Sequence, residues 1–558
     1  MKFIHTYTER AFPAIIKSGL WRDGDGLKLM HKPGFLPPDD FNTACAHGSS
    51  LDLLLSELQC PFYVDRLQGG LGCTRNYPFI RELTYYYKKL LGDGFLGFQM
   101  HEWASNFRSD QLRIEELYRD QNVNKNDPSA LRDIWDKIRK GTLSLFLEAY
   151  SPDEWAELKY SDGLTGFFND CEKLYALRIA QTDGLLFPAD SYYMAPATEI
   201  RHGAKLLLPE AGWQIPNLRV QIAYTRGMSA AAGIPWGIYW ECWQNTNDAG
   251  FTIPYSLREG QDEWLEDLLN KANGHDLPFE NREHGGCSLS LMERAWRYAY
   301  FCGASLIAEE YGVCNTFRDL SSAELSPYGQ TKKDFLRFIE NFNAVGKSFR
   351  PFAVVLPKDL PMIDIRLSER WFDRPANEGN NLLTKERIKD INDTLNRIFG
   401  ENGKYGNYGH VLKCGGFPDV FDIIHADTPS VSEYDCLIDL TCDPDFSKRR
   451  ENCVPVSDID KLLEKILPVQ ISGGLHTAYN RTGNGWLLLC MNNDGILHDD
   501  FQPDVFLPEA TVHTKIQLNR TNLSIFKTGG TGTLHASGNE YAVTLCAGEW
   551  LLLAVPDF

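Results

Sequence analysis

Residues 204–241 read AKLLLPEAGWQIPNLRVQIAYTRGMSAAAGIPWGIYWE. The run Ala204–Glu210 is short and almost continuously apolar, as a strand buried on both faces is. Asn217 stands where a helix N-cap belongs, and Gly233 where a left-handed residue ends a helix, so Asn217–Ala232 reads as a helix. A second apolar run, Trp236–Trp243, follows at once. Strand, helix and strand in this order form a βαβ unit, whose two strands lie parallel in one sheet.

The same alternation extends in both directions. Upstream runs predict strands at Lys2–Tyr7, Leu27–His31, Pro61–Arg66, Phe95–Glu102 and Gly184–Asp190, and downstream at Ser305–Tyr311. Helical patterns separate them at Ser50–Gln59, Asn76–Leu91, Phe167–Ala180 and Ser290–Cys302. Eight strands alternating with helices fit a (β/α)8 TIM barrel over residues 1–347, its largest insertion lying between Glu102 and Gly184. After a last barrel helix, Pro327–Phe342, the texture changes. Strands at Pro351–Pro357, Val420–Ile424 and Cys436–Leu440, with helices at Lys385–Phe399 and Asp458–Ile466, predict a flavodoxin-like α/β domain over 348–469. No Gly-rich phosphate fingerprint follows its first strand, so no nucleotide is assigned to it. From 470 to 558 the helical period disappears, and apolar runs at Gly485–Asn493 and Tyr541–Val555 predict a small C-terminal β-sandwich.

With 558 residues the chain is too long for a single core, which supports the multidomain reading. Its formal net charge of −19 argues against nucleic acid and anionic membranes as partners. No run of about 18 apolar residues offers a membrane span, and the start of the chain lacks an apolar signal segment. The 14 cysteines are scattered without C-x-x-C spacing and read as thiols of a reducing compartment, so a cytoplasmic location is expected. No H-E-x-x-H set, nucleophile elbow or P-loop occurs; no metal and no cofactor is expected. His31, His47 and His101 fall near strand ends, where a lone histidine reads as structural rather than as a metal ligand, and His101, beside Glu102, is a candidate substrate contact.

A barrel of this kind carries its active site at the C-terminal ends of its strands. That rule reduces 75 acidic residues to a few. Glu102, Glu210, Glu241 and the pair Glu309–Glu310 end four candidate strands, and Asp65 and Asp190 end two more. Carboxylates after a buried apolar run are costly unless paired or used, and several in one crevice split their pKa values into an acid and a base. Glycoside hydrolysis needs such a pair of carboxyl groups. His101 and Trp103 flank Glu102, and Asn106 follows; Tyr239, Trp240 and Trp243 surround Glu241, supplying aromatic surfaces for a sugar. Arg66 and Asn106 are candidates for hydroxyl contacts. Two alternatives concern ion pairs: Glu210 with Arg219, and Asp65 with its neighbour Arg66.

The order barrel, flavodoxin-like domain opening with RPFAVVLP (350–357), then β-domain resembles the three-domain beta-galactosidases of glycoside hydrolase family 42 and related clan A (β/α)8-barrel hydrolases. GASLIAEEYG (303–312) and LSPYGQTKKDFLRFIENF (325–342) resemble the barrel end of the same enzymes. The resemblance implies an acid/base at the end of strand four and a nucleophile at the end of strand seven, here Glu102 and Glu241. If the strand count slips by one, Glu310 takes the place of Glu241. The clan's Asn-Glu pair is His101–Glu102 in this chain, and the four-cysteine metal cluster of some members has no counterpart. The implied activity is a retaining, exo-acting, beta-galactosidase-like glycosidase on a glycoside or oligosaccharide. The implied assembly is a homo-oligomer, a trimer. An inverting hydrolase, a glycoside phosphorylase using Arg66 and the turn Gln68–Gly70, and a non-catalytic carbohydrate-binding barrel remain open.

Overall fold

In the computed structural model the run 204–241 forms the expected unit, with a late start to its first strand. Leu207 bridges to Trp236, but the regular strand spans only Glu210–Gly212. Pro209 explains the break, because it has no N–H to give to a ladder. The helix is Leu218–Ala232; the Asn217 side chain accepts a hydrogen bond from the Val220 N–H, and Gly233 takes a φ of 64°. The structure describes residues 1–30, 44–65, 80–101, 182–190, 195–212, 217–242, 284–310, 312–358, 385–400, 415–471, 473–498, 502–521 and 523–557, with short pieces between them. Most of the predicted helix Phe167–Ala180 and of the insertion after Glu102 lies outside the described residues, as does His31.

All eight predicted barrel strands form one parallel sheet. They are β1 (Lys2–Thr6), β2 (Gly26–Met30), β3 (Phe62–Asp65), β4 (Phe95–His101), β5 (Leu186–Ala189), β6 (Glu210–Gly212), β7 (Gly237–Glu241) and β8 (Leu306–Glu309). The order β5-β4-β3-β2-β1-β8-β7-β6 runs round a barrel, leaving β5 and β6 as the two sides of a seam. A backbone bond crosses that seam, from Glu210 N–H to Asp190 O at 3.1 Å. Side chains such as Ile4, Tyr63, Phe187, Leu208, Tyr239 and Ala308 fill the interior. Outside lie α1 (Ala11–Ser18), α2 (Ser50–Leu58), α3 (Ile80–Leu91), α4 (Ala195–Arg201), α5 (Leu218–Ala232), α6 (Leu289–Phe301) and α7 (Pro327–Asn341).

The middle domain is a three-stranded parallel sheet of β9 (Phe352–Leu356), β10 (Phe421–His425) and β11 (Cys436–Asp439), in the order β10-β9-β11, with helices α8 (Lys385–Phe399) and α9 (Ile459–Ile466). The C-terminal domain pairs a five-stranded with a four-stranded antiparallel sheet. Lys347–Ser348 pairs with His476–Thr482 of the larger sheet, and Val469–Ile471 belongs to the smaller one. The divisions expected at 347/348 and 469/470 therefore fall inside strands of the C-terminal sheets. One continuous apolar cluster runs from the barrel's helical layer into both other domains.

Polar contacts lock barrel and middle domain together. Gly227 of α5 lies so close to β10 that a Cβ there would sit 2.7 Å from the Ile423 carbonyl oxygen. This absence of a side chain lets Arg226 Nε reach Asp422 Oδ1 at 2.7 Å and Tyr224 OH reach His425 Nε2 at 2.6 Å.

In β1, His5 is fully buried 3.6 Å from Asp25. Desolvation outweighs the Asp25 attraction and pushes the imidazole pKa from 6.5 down to about 4. The unfolded chain therefore binds a proton here between those values while the folded chain does not, so stability present above pH 6.5 is lost as pH falls towards 4. His5 alone is expected to remove about 3 kcal/mol across that window. Urea unfolding at stepped pH checks this: His5→Asn should flatten the slope, and an unchanged slope would show that other groups carry it.

Candidate active site

Four consecutive strands carry a buried carboxylate, three of them at the C-terminal end and β6 at its first residue. Asp190 follows β5, Glu210 opens the short β6, Glu241 ends β7 and Glu310 follows β8. Glu210 and Glu241 expose no surface, and Asp190 and Glu310 expose 1% and 2%. Strand register sets which way they point. Glu210 pairs with Tyr239 and Gly212 with Glu241, and Tyr239 belongs to the cluster inside the barrel. Alternation along β7 turns Glu241 inward with Tyr239. Ala308 pairs with Tyr239 and also lies inside, so the inward row of β8 continues towards Glu310, whose N–H bonds to Trp240 O at 2.9 Å.

Gly212 makes room for Glu241. A Cβ at position 212 would stand 2.5 Å from Glu241 Cβ and 2.8 Å from Oε2. The carboxylate therefore folds across β6, beside the strand that carries Glu210. Gly212→Ala is expected to displace it and to lower kcat/KM on a cleaved glycoside by about 10–100-fold, the scale of a misplaced catalytic group. Steady-state kinetics beside the thermal midpoint checks this; full activity would mean that Glu241 needs no such packing.

At the same strand ends the barrel holds a buried cation. Lys28, from the apolar run GLKLM of β2, bonds to Asp65 Oδ2 and to the Glu309 carbonyl oxygen, with no exposed surface on either side chain. Tyr239 OH donates to the same Asp65 oxygen at 3.1 Å, and the ammonium sits 4.7 Å from the Tyr239 ring centroid. This cross-barrel pairing ties β2, β3, β7 and β8 together. Asp65 thus pairs with Lys28, and Tyr239 faces Asp65 in the packed interior. Reading the sequence missed Lys28, although a lysine inside an apolar strand was a visible signal.

Three further expectations need correction. Trp240 is fully buried and packs edge-on against Trp296 of α6, at 6.4 Å and 88°. It pairs with Ala211 and Glu309 on the outward row, so it is helix-layer core and no wall of a sugar site. Glu309 likewise points outward and forms a buried ion pair with Lys332 of α7. Arg219 does not serve Glu210: its guanidinium donates to the Phe399 and Phe417 carbonyls, at 3.2 and 3.1 Å. What Glu210 does receive, at its main-chain oxygen, is a 2.5 Å bond from Gln221 Nε2.

A carboxyl that sequence reasoning overlooked lies beside the seam. Glu199 of α4 is buried, and desolvation, reinforced by the Asp190 charge, holds its pKa well above the usual carboxylate range. Nothing in the run APATEIR marks it. His47 is exposed and joins Asp52 and Tyr86 at the start of α2, apart from the barrel interior. Glu102, Trp103, Asn106, Arg66 and Trp243 lie outside the described residues. His101 is the last residue of β4 and pairs with Ala189 of β5.

Buried carboxylates that share a low-dielectric crevice split their pKa values, the general route to a proton donor beside a charged base or nucleophile. No protein-family model and no curated protein matches the chain. Its fold is similar to that of Gan42B, a GH42 beta-galactosidase from G. stearothermophilus, with a TM-score of 0.50 at 8% identity over 100% of this chain and 98% of that one. Alpha-L-fucosidase isoenzyme 2 from Paenibacillus thiaminolyticus aligns at 9% identity and a TM-score of 0.43, over 100% and 99%. At 8% identity the likeness to Gan42B is one of fold, and it bears out the three-part architecture read from the sequence.

Proposed function

We propose that the chain is a glycoside hydrolase, a retaining exo-acting enzyme for β-linked, galactoside-type substrates. The observation that carries this reading is Glu241, buried and inward-facing at the end of β7, with buried carboxylates on both neighbouring strands, Glu210 in β6 and Glu310 just after β8. Glu241 is the nucleophile that attacks the anomeric carbon. Glu102, one residue beyond the end of β4, is the acid/base that protonates the leaving oxygen and then activates water. Asp190, Glu210 and Glu310 bind substrate hydroxyls and set the proton balance of the pair. The barrel fold shared with a protein described as a beta-galactosidase supports the substrate class.

The same reading places the enzyme in the cytoplasm as a homo-oligomer, a trimer by resemblance. The described cysteines are free thiols, which fits a reducing compartment. No helix among the described residues is long and apolar enough to cross a membrane.

The test is p-nitrophenol release from a panel of α- and β-aryl glycosides, with and without phosphate, followed by NMR of the first-formed sugar. Turnover of a β-galactoside without phosphate, giving the β-anomer first, is the expected result. A phosphate requirement would make the enzyme a phosphorylase, and an α-anomer first would make it inverting. Silence across the panel would remove the exo-glycosidase reading.

A further inference from the structure

A second crevice lies in the middle domain, away from the barrel carboxylates. Its volume is about 620 Å³, within the range of small-molecule sites, roughly 300–1,000 Å³. Its walls are the residues that follow the three parallel strands: Pro357 and Lys358 after β9, Ala426 and Asp427 after β10, and Thr441 to Asp443 after β11. The chain enters this sheet at the central strand, adds β10 on one side, then crosses to add β11 on the other. That reversal is a topological switch point, where open α/β sheets leave a crevice outside their strand ends. Cys442, in the wall, holds a φ of 63°, a conformation that costs a non-glycine residue.

The charges in this crevice are only partly spent. Arg449 is committed to Asp443 at 2.6 Å. Arg450 stacks on Phe446, its guanidinium carbon 5.0 Å from the ring centroid, and has no carboxylate partner among the described residues. Lys358 is exposed and Asp427 is exposed, and neither forms an ion pair among the described residues. Two cations and one carboxylate are therefore left lining a cavity of otherwise mixed, partly apolar walls. An arginine fork and a lysine point charge together suit a phosphate, and a lone carboxylate suits hydroxyl donors.

We propose that this crevice binds a polyhydroxylated organic phosphate of sugar-phosphate size, with Arg450 and Lys358 holding the phosphate and Asp427 accepting from hydroxyls. The site is separate from the barrel carboxylates and does not depend on their chemistry.

Isothermal titration of the full chain with glucose 6-phosphate, inorganic phosphate and glucose, at constant ionic strength and without glycoside, tests it. Saturable binding of glucose 6-phosphate is expected, with weaker binding of inorganic phosphate and none of glucose. Lys358→Gln and Arg450→Gln should each weaken both phosphates about tenfold, the scale of one lost charge-assisted contact. Asp427→Asn should weaken glucose 6-phosphate and leave inorganic phosphate unchanged. Lys448→Gln, which removes an exposed lysine paired with Asp445, is the control and should change nothing. Lys358 is a surface residue, so its variant folds and keeps the test decisive. Absence of saturable binding, or binding indifferent to both Lys358→Gln and Arg450→Gln, overturns the proposal.

Discussion

Glu241→Gln is expected to lower kcat/KM on the cleaved glycoside by about 10³-fold, within the usual range for a positioned catalytic group. The amide keeps the volume of the side chain and removes its charge, so no cavity opens behind Gly212. A volume-conserving swap leaves the surrounding packing in place. The thermal midpoint is therefore expected to hold while activity collapses. A merely structural glutamate would behave in the opposite way, with stability falling and activity following it. Truncation to Glu241→Ala does open that cavity, and azide added to this second variant should restore turnover and deliver a glycosyl azide of inverted configuration, because a small anion can occupy the place of the missing carboxylate. Glu310→Ala and Glu210→Ala should lose less activity and show no azide rescue. If Glu310→Ala alone shows both the loss and the rescue, the nucleophile sits one strand further on.

The limits of the sequence reading follow from how parallel barrels are built. Strands buried on both faces read as continuous apolar runs, which made β1 to β8 visible and blurred their inward and outward parity. Trp240 and Glu241 look equally suited to a site, as do Glu309 and Glu310. Only pairing with Ala211 and Tyr239 separates the outward member from the inward one. Charge partners were hidden for a different reason. Asp65 found Lys28, 37 residues away, and Arg219 crossed to carbonyls of the middle domain. Partners brought together by the fold leave no local trace. β6 shows the converse: Pro209 is a local signal, but the run Ala204–Glu210 was read as one strand across it, and the regular strand starts only at Glu210.

The contact between α5 and β10 carries the other large effect. Arg226 is fully buried; Nε meets Asp422 at 2.7 Å, Nη2 the Phe421 carbonyl at 2.7 Å, and Nη1 lies 3.6 Å from Asp419. Burial alone would raise the Asp419 pKa, but the Arg226 and Arg219 charges, with His476 and the Tyr298 hydroxyl, outweigh it and hold the carboxyl below its ordinary value. Asp422 keeps Arg350 at 3.0 Å and Tyr434 OH at 2.8 Å if Arg226 is removed, whereas Asp419 loses the guanidinium beside it. Arg226→Met is therefore expected to cost about 3–5 kcal/mol, the usual penalty for orphaning a buried charge. The loss should appear as decoupling: the middle domain unfolds in urea ahead of the barrel, giving two transitions by tryptophan fluorescence and circular dichroism where wild type gives one. Adding Asp419→Asn removes the stranded charge and should recover part of the loss, since a neutral amide still accepts from Tyr298 OH. A single unshifted transition in Arg226→Met would show that apolar packing around Gly227, and not this ion network, joins the barrel to the middle domain.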